Sequence, residues 1–141
     1  MTKPEIVHAV LDYFDGPIRG VADFQGHAHY FEAVFDEEAD EWKDEYLLVG
    51  LQHDAFQWVL EDWAIWRRWE DAFYAGRVAR GTHSALPEDR DRHVVLTELL
   101  ASHLRVAPGA VRLRATFRPR AGTSRPVGSI RDLEVIWHPV P

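Results

Sequence analysis

Two runs of β-forming residues, 18–24 and 27–35, are separated by only Gln25-Gly26, and a two-residue loop leaves an antiparallel pair a single register. Counting outward from that loop sets Phe24 opposite His27, Ala22 opposite His29, Val21 opposite Tyr30, Gly20 opposite Phe31 and Arg19 opposite Glu32. One face of the hairpin then gathers Ile18, Ala22, Phe24, Phe31, Ala33 and Phe35, with Phe31 free to lie over Gly20. The other face carries Arg19 and Glu32 beside Val21 and Tyr30. A face this apolar must be covered.

The flanking sequence supplies further strands. Residues 6–14 are rich in β-formers until Asp15-Gly16-Pro17 breaks the run, and residues 45–51 follow an acid-dense connection, which completes a four-strand meander. Residues 54–79 switch to helical spacing. Phe56, Val59, Leu60, Trp63, Trp66, Phe73 and Tyr74 make one stripe, Trp58, Ile65 and Trp69 make a second line on the far side, and Gly81 is the expected stop. Residues 88–104 read as a shorter helix with Val95, Leu96, Leu99, Leu100 and His103 inward. Alternation in 111–118 and 133–138 predicts a C-terminal hairpin. The whole is expected to be a single α+β domain over 1–141, an antiparallel sheet of about six strands packed against one long aromatic helix and one shorter helix.

Charge is unevenly spread along these 141 residues. Residues 1–62 hold fifteen Asp and Glu against three Lys and Arg, and residues 63–141 hold eight against thirteen, so the two halves attract each other or present surfaces of opposite sign. No cysteine is present, which removes disulfides and thiolate chemistry and points to a cytoplasmic protein. No apolar run reaches the length of a membrane span.

Candidate sites follow from these patterns. Trp42 within the acidic connection is an aromatic anchor for a basic partner. Trp58 and Trp69 need cover from the second helix or from a second copy of the chain, so a protein partner or a homodimer is expected. Arg112, Arg114 and Arg118 share one face of their strand, with Arg120, Arg125 and Arg131 nearby. Their forks suit phosphate, but the net charge of −7 argues against nucleic acid, and the row is expected to face acids from the first half of the domain or from a partner protein. An alternative pocket between helix and sheet would be lined by His29, Trp66, Arg67 and Glu70. The usual hydrolase, phosphate-loop, zinc-protease and dinucleotide motifs do not occur, so the reading is a non-catalytic protein-interaction module, with a small-molecule binder or enzyme as the alternative. No cofactor is expected.

The segments DYFDGPIRG, FQGHAHYFEAVFDEE and DEYLL resemble small uncharacterised bacterial proteins that open with a similar DGP turn and hairpin. The resemblance spans residues 12–48 and implies a bacterial origin without an activity.

His27 and His29 share a strand face, but Glu32 is an odd number of residues from both and points to the opposite side. Elemental analysis of the purified protein is therefore expected to show no stoichiometric zinc, iron or copper. Metal that disappears on replacing both histidines by Ala would contradict this.

Overall fold

The computed structural model describes residues 3–123 and 128–141; Arg125 of the arginine series lies outside them. The chain forms two compact units, Met1–Leu51 with Arg105–Pro141, and Gln52–Leu104.

In the first unit six strands run in chain order: β1 Glu5–Tyr13, β2 Pro17–Phe24, β3 His27–Asp36, β4 Glu41–Gly50, β5 Val111–Pro119 and β6 Leu133–Pro139. Each pairs antiparallel with the next, and β6 returns to β1 through Glu5 opposite Val135 and Ile6 opposite Glu134, closing a barrel. This corrects the α+β expectation of an open sheet packed against helices. The apolar face is covered by the sheet itself, because register shifts in β1 and in β3 between Ala33 and Phe35 coil the strands.

The β2–β3 register agrees at every pair counted from the sequence. Gln25 and Gly26 both adopt positive φ, 54° and 78°, as a two-residue hairpin requires. Their backbone N–H groups donate to the Glu5 carboxylate at 3.1 and 2.9 Å. A glutamate twenty residues away thus steadies a turn whose first residue is a poor choice locally.

Four rings fill the barrel: Phe31, Tyr46, Phe117 and Trp137, with every pair of centroids 5.5–6.1 Å apart. Most meet edge to face, as ring quadrupoles favour. Their polar tips are satisfied by backbone carbonyls across the barrel. Tyr46 donates to Pro17 O at 2.6 Å, and Trp137 Nε1 donates to Asp23 O at 2.9 Å. On the outer side Arg19 Nε donates to the Tyr30 hydroxyl, which donates to Glu32, both at 2.8 Å. The pair foreseen between Arg19 and Glu32 is thus bridged by a phenol.

The second unit holds α1 His53–Tyr74 and α2 Arg90–Leu100. Gly76, not Gly81, stops α1. It takes φ 74°, its N–H reaches Phe73 O, and the Arg77 N–H reaches Ala72 O, the paired bonds of a glycine-terminated helix end. The two helices run antiparallel and are joined along one side by Arg92 with Glu61, His93 with Asp62, and Arg68 with Asp89. Between them Ile65, Ala85 and Leu96 form a buried cluster against which Trp58 packs. The seam is narrower than expected, since α2 buries Leu96 and Leu100 but leaves Val95 and Leu99 exposed.

A Cβ at Gly20 would stand 2.4 Å from Ala9 O and 2.6 Å from Phe31 Cζ. Backbone and ring cannot both yield, so Gly20→Ala should lower stability to urea by about 1–3 kcal/mol. Gly50→Ala, where a Cβ meets nothing within 4 Å, should change it by less than about 0.5 kcal/mol. Equal stability of the two variants would refute the packing described.

Candidate functional site

The Tyr46–Pro17 bond marks one mouth of the barrel, where the β1–β2 turn meets the β3–β4 hairpin. That hairpin is longer than the sequence reading allowed. β4 begins at Glu41 rather than Glu45, because Phe35 and Trp42 face each other across the ladder and their rings meet edge to face at 4.9 Å. The acid-dense connection is thereby reduced to a tight turn. Within it the Asp36 carboxylate accepts the N–H groups of Glu38 and Ala39 at 3.1 and 3.2 Å, and Asp40 takes φ 54°.

Between turn and hairpin lies a recess of about 500 Å³, walled by Phe14, Phe35 and Trp42 and by Asp15, Asp40 and Glu41, with Lys43, Asp44 and the inner ring of Tyr46 completing it. Phe14 is 73% exposed, Trp42 41% and Phe35 40%. Three large aromatic rings exposed around one recess are a costly arrangement for a surface that stays in water. The carboxylates give the recess a negative field. Asp44 is engaged by Arg114 Nη2 at 2.8 Å, and that hydrogen bond holds its carboxyl below the ordinary range.

The other residues singled out in the sequence fall elsewhere. Arg112 Nε meets Glu45 at 2.7 Å, Arg114 meets Asp44, and Arg118 meets Glu134, so each member of the row has a carboxylate partner within the barrel unit. Arg131 is buried. Trp69 is buried, stacked on Phe73 at 5.2 Å, edge-on to His83, with Nε1 donating to Thr82 Oγ at 2.8 Å. Trp58 lies edge to face with His103 at 5.8 Å. The second tryptophan line therefore finds cover inside its own unit.

His29 lies on β3, its Nδ1 2.7 Å from His27 O and its ring edge-on to Phe24. Trp66, Arg67 and Glu70 lie on α1, where Trp66 stacks on Trp63 at 4.5 Å and Glu70 is buried. None of these four lines the recess. Among the described residues no group of three or more His, Asp or Glu is placed to hold a metal ion, and no helix is long and apolar enough to cross a membrane.

Of the recess residues, Trp42 with its acidic neighbours and the Asp15-Gly16-Pro17 turn stand out in the sequence. The β-forming pattern makes Phe14 and Phe35 strand residues, although Phe14 immediately precedes a DGP turn, where a side chain leaves the pleat. Comparison with protein-family models, curated proteins and solved structures finds no match to this chain.

Burial, reinforced by the charge of Asp44, pushes the Tyr46 phenol up to about 12. Burial likewise raises Tyr30 to about 12, with Arg19 opposing. A folded value above the unfolded value of about 10 means the folded state holds its phenolic protons more tightly. The stability this contributes is complete below about pH 10 and is lost as pH rises through about 12. Urea midpoints should accordingly fall between about pH 10 and 12, and the fall should be shallower in Tyr46→Phe. A fall in both Tyr46→Phe and Tyr30→Phe as steep as that of the wild type would show that these phenols do not drive it.

Proposed function

We propose that the barrel unit is a protein-interaction module that takes a basic segment of another protein into the acidic aromatic recess at the Pro17–Tyr46 mouth. The observation that carries this reading is the combination of exposed Phe14, Phe35 and Trp42 with Asp15, Asp40 and Glu41 around one recess of about 500 Å³. Lysine and arginine side chains match both components. Their charged heads suit the carboxylates and ring faces, and their alkyl stems cover the apolar walls.

Phosphate is not the ligand proposed. The forks of Arg112, Arg114 and Arg118 already meet Glu45, Asp44 and Glu134. A polyanion would also approach a chain of net charge −7. Trp58 and Trp69 are not the surface proposed here, since Trp69 is buried and Trp58 packs, partly buried, on the Ile65, Ala85 and Leu96 cluster of its own unit. The compartment proposed is the cytoplasm.

Fluorescence anisotropy with a labelled arginine- and glycine-containing peptide should report binding that weakens with added salt, while a glutamate counterpart should not bind. Trp42→Ala and Phe14→Ala should each weaken binding by about tenfold or more, with unchanged circular dichroism. Wild-type affinity retained in both variants, or no binding of the arginine peptide at millimolar protein, would overturn the proposal.

A further inference from the structure

Pro17 and its neighbours wall a second recess on the other side of the same turn. It measures about 490 Å³ and shares Asp15, Gly16, Pro17 and Tyr46 with the first. Its other walls include Tyr13, Phe117, Ile130 and Leu133, with Arg118 and Ser129 beside them. The turn dividing the two recesses is tightly set, with Asp15 at φ 53°, Gly16 at φ 142° and the Phe14 N–H donating to Gly16 O at 2.9 Å.

The recesses differ in chemistry. The first has Asp15, Asp40 and Glu41, with Asp44 engaged by Arg114, against Lys43. Among the described residues, the second has one carboxylate, the shared Asp15, and one cation, Arg118, which is paired with Glu134. A basic side chain placed there would find a single carboxylate, the shared Asp15, beside an arginine already paired with Glu134, and would lose its water against the rings and aliphatic walls. An apolar side chain would meet no such cost.

We infer that the segment bound at this mouth is bipartite, carrying a basic residue for the Trp42 recess and, a short extended stretch away, an apolar residue for the recess formed by Tyr13, Phe117, Ile130 and Leu133. This rests on the function proposed above and names its partner as a linear protein segment that carries both a basic and an apolar residue. Because the recesses share a wall, one extended chain crossing the Asp15–Pro17 turn fills both, at about 3.3–3.6 Å per residue. The second contact adds affinity without a second encounter, and it separates such a segment from a merely basic tail.

Two labelled peptides test this, identical in their arginines but carrying either leucine or glycine two to four residues away, offered as a spacing series. At the best spacing the leucine peptide should bind the wild-type chain about tenfold more tightly than the glycine peptide, as burial of a leucine side chain allows. In Tyr13→Ser and in Ile130→Asp that ratio should fall below about twofold. Equal binding of the two peptides to wild type would overturn the bipartite inference while leaving the first recess intact. Failure of both peptides to bind would remove the function beneath it. A leucine advantage that persists in both variants would place the apolar contact elsewhere and contradict the inference.

Discussion

The close approach of the Phe31 ring to the bare backbone of Gly20 is the constraint on which the barrel rests. With no Cβ at Gly20 the ring can sit against β2, and the other three rings, Tyr46, Phe117 and Trp137, then close around it. A side chain there would push Phe31 toward the positions those rings occupy, or push β2 away from Ala9. The closed interior in turn aims the Tyr46 hydroxyl at Pro17 and the Trp137 indole at Asp23, so each mouth is pinned by one buried polar tip. The geometry of the recess beside Pro17 follows from the interior packing.

Charge is arranged on the outside of this frame. Arginines of β5 meet carboxylates of β4 and β6, pairing Arg112 with Glu45, Arg114 with Asp44 and Arg118 with Glu134. Exposed pairs of this kind each contribute only about 0–1 kcal/mol to stability. Their larger effect is on the surface field. By engaging the arginine row they leave the acids of the β1–β2 and β3–β4 turns to set the sign at the mouth, where the exposed rings of Phe14 and Trp42 also lie.

Local pattern made much of the fold readable. Alternation placed all six strands within a few residues, and the Gln25-Gly26 loop determined the β2–β3 register because a two-residue hairpin has no freedom to slip. Closure was not readable in the same way. An apolar face says that cover is needed, not whether a helix or the sheet itself provides it, and the shifts that coil β1 and β3 leave no mark in composition. The steadying of Gln25-Gly26 by Glu5 and the satisfaction of the Tyr46 and Trp137 tips are long-range events with no local signature. At the site, Trp42 was visible because an aromatic among acids is unusual, whereas Phe14 and Phe35 looked like ordinary strand residues until the turn and the Phe35–Trp42 pairing set them at the rim. Helical spacing likewise says that Trp58 and Trp69 need cover, without distinguishing the second helix from a second copy of the chain.

The proposed binding of a basic segment at the Pro17–Tyr46 mouth is tested most directly by amide and indole chemical-shift mapping of the isotopically labelled chain during titration with the arginine- and glycine-containing peptide. The account predicts that the resonances that move belong to residues 13–18 and 35–46, the Trp42 indole N–H foremost, with the Trp137 indole and the α1 and α2 amides unperturbed. Shifts centred on the arginine row of β5 or on the helical unit, or no shifts at saturating peptide, would contradict it.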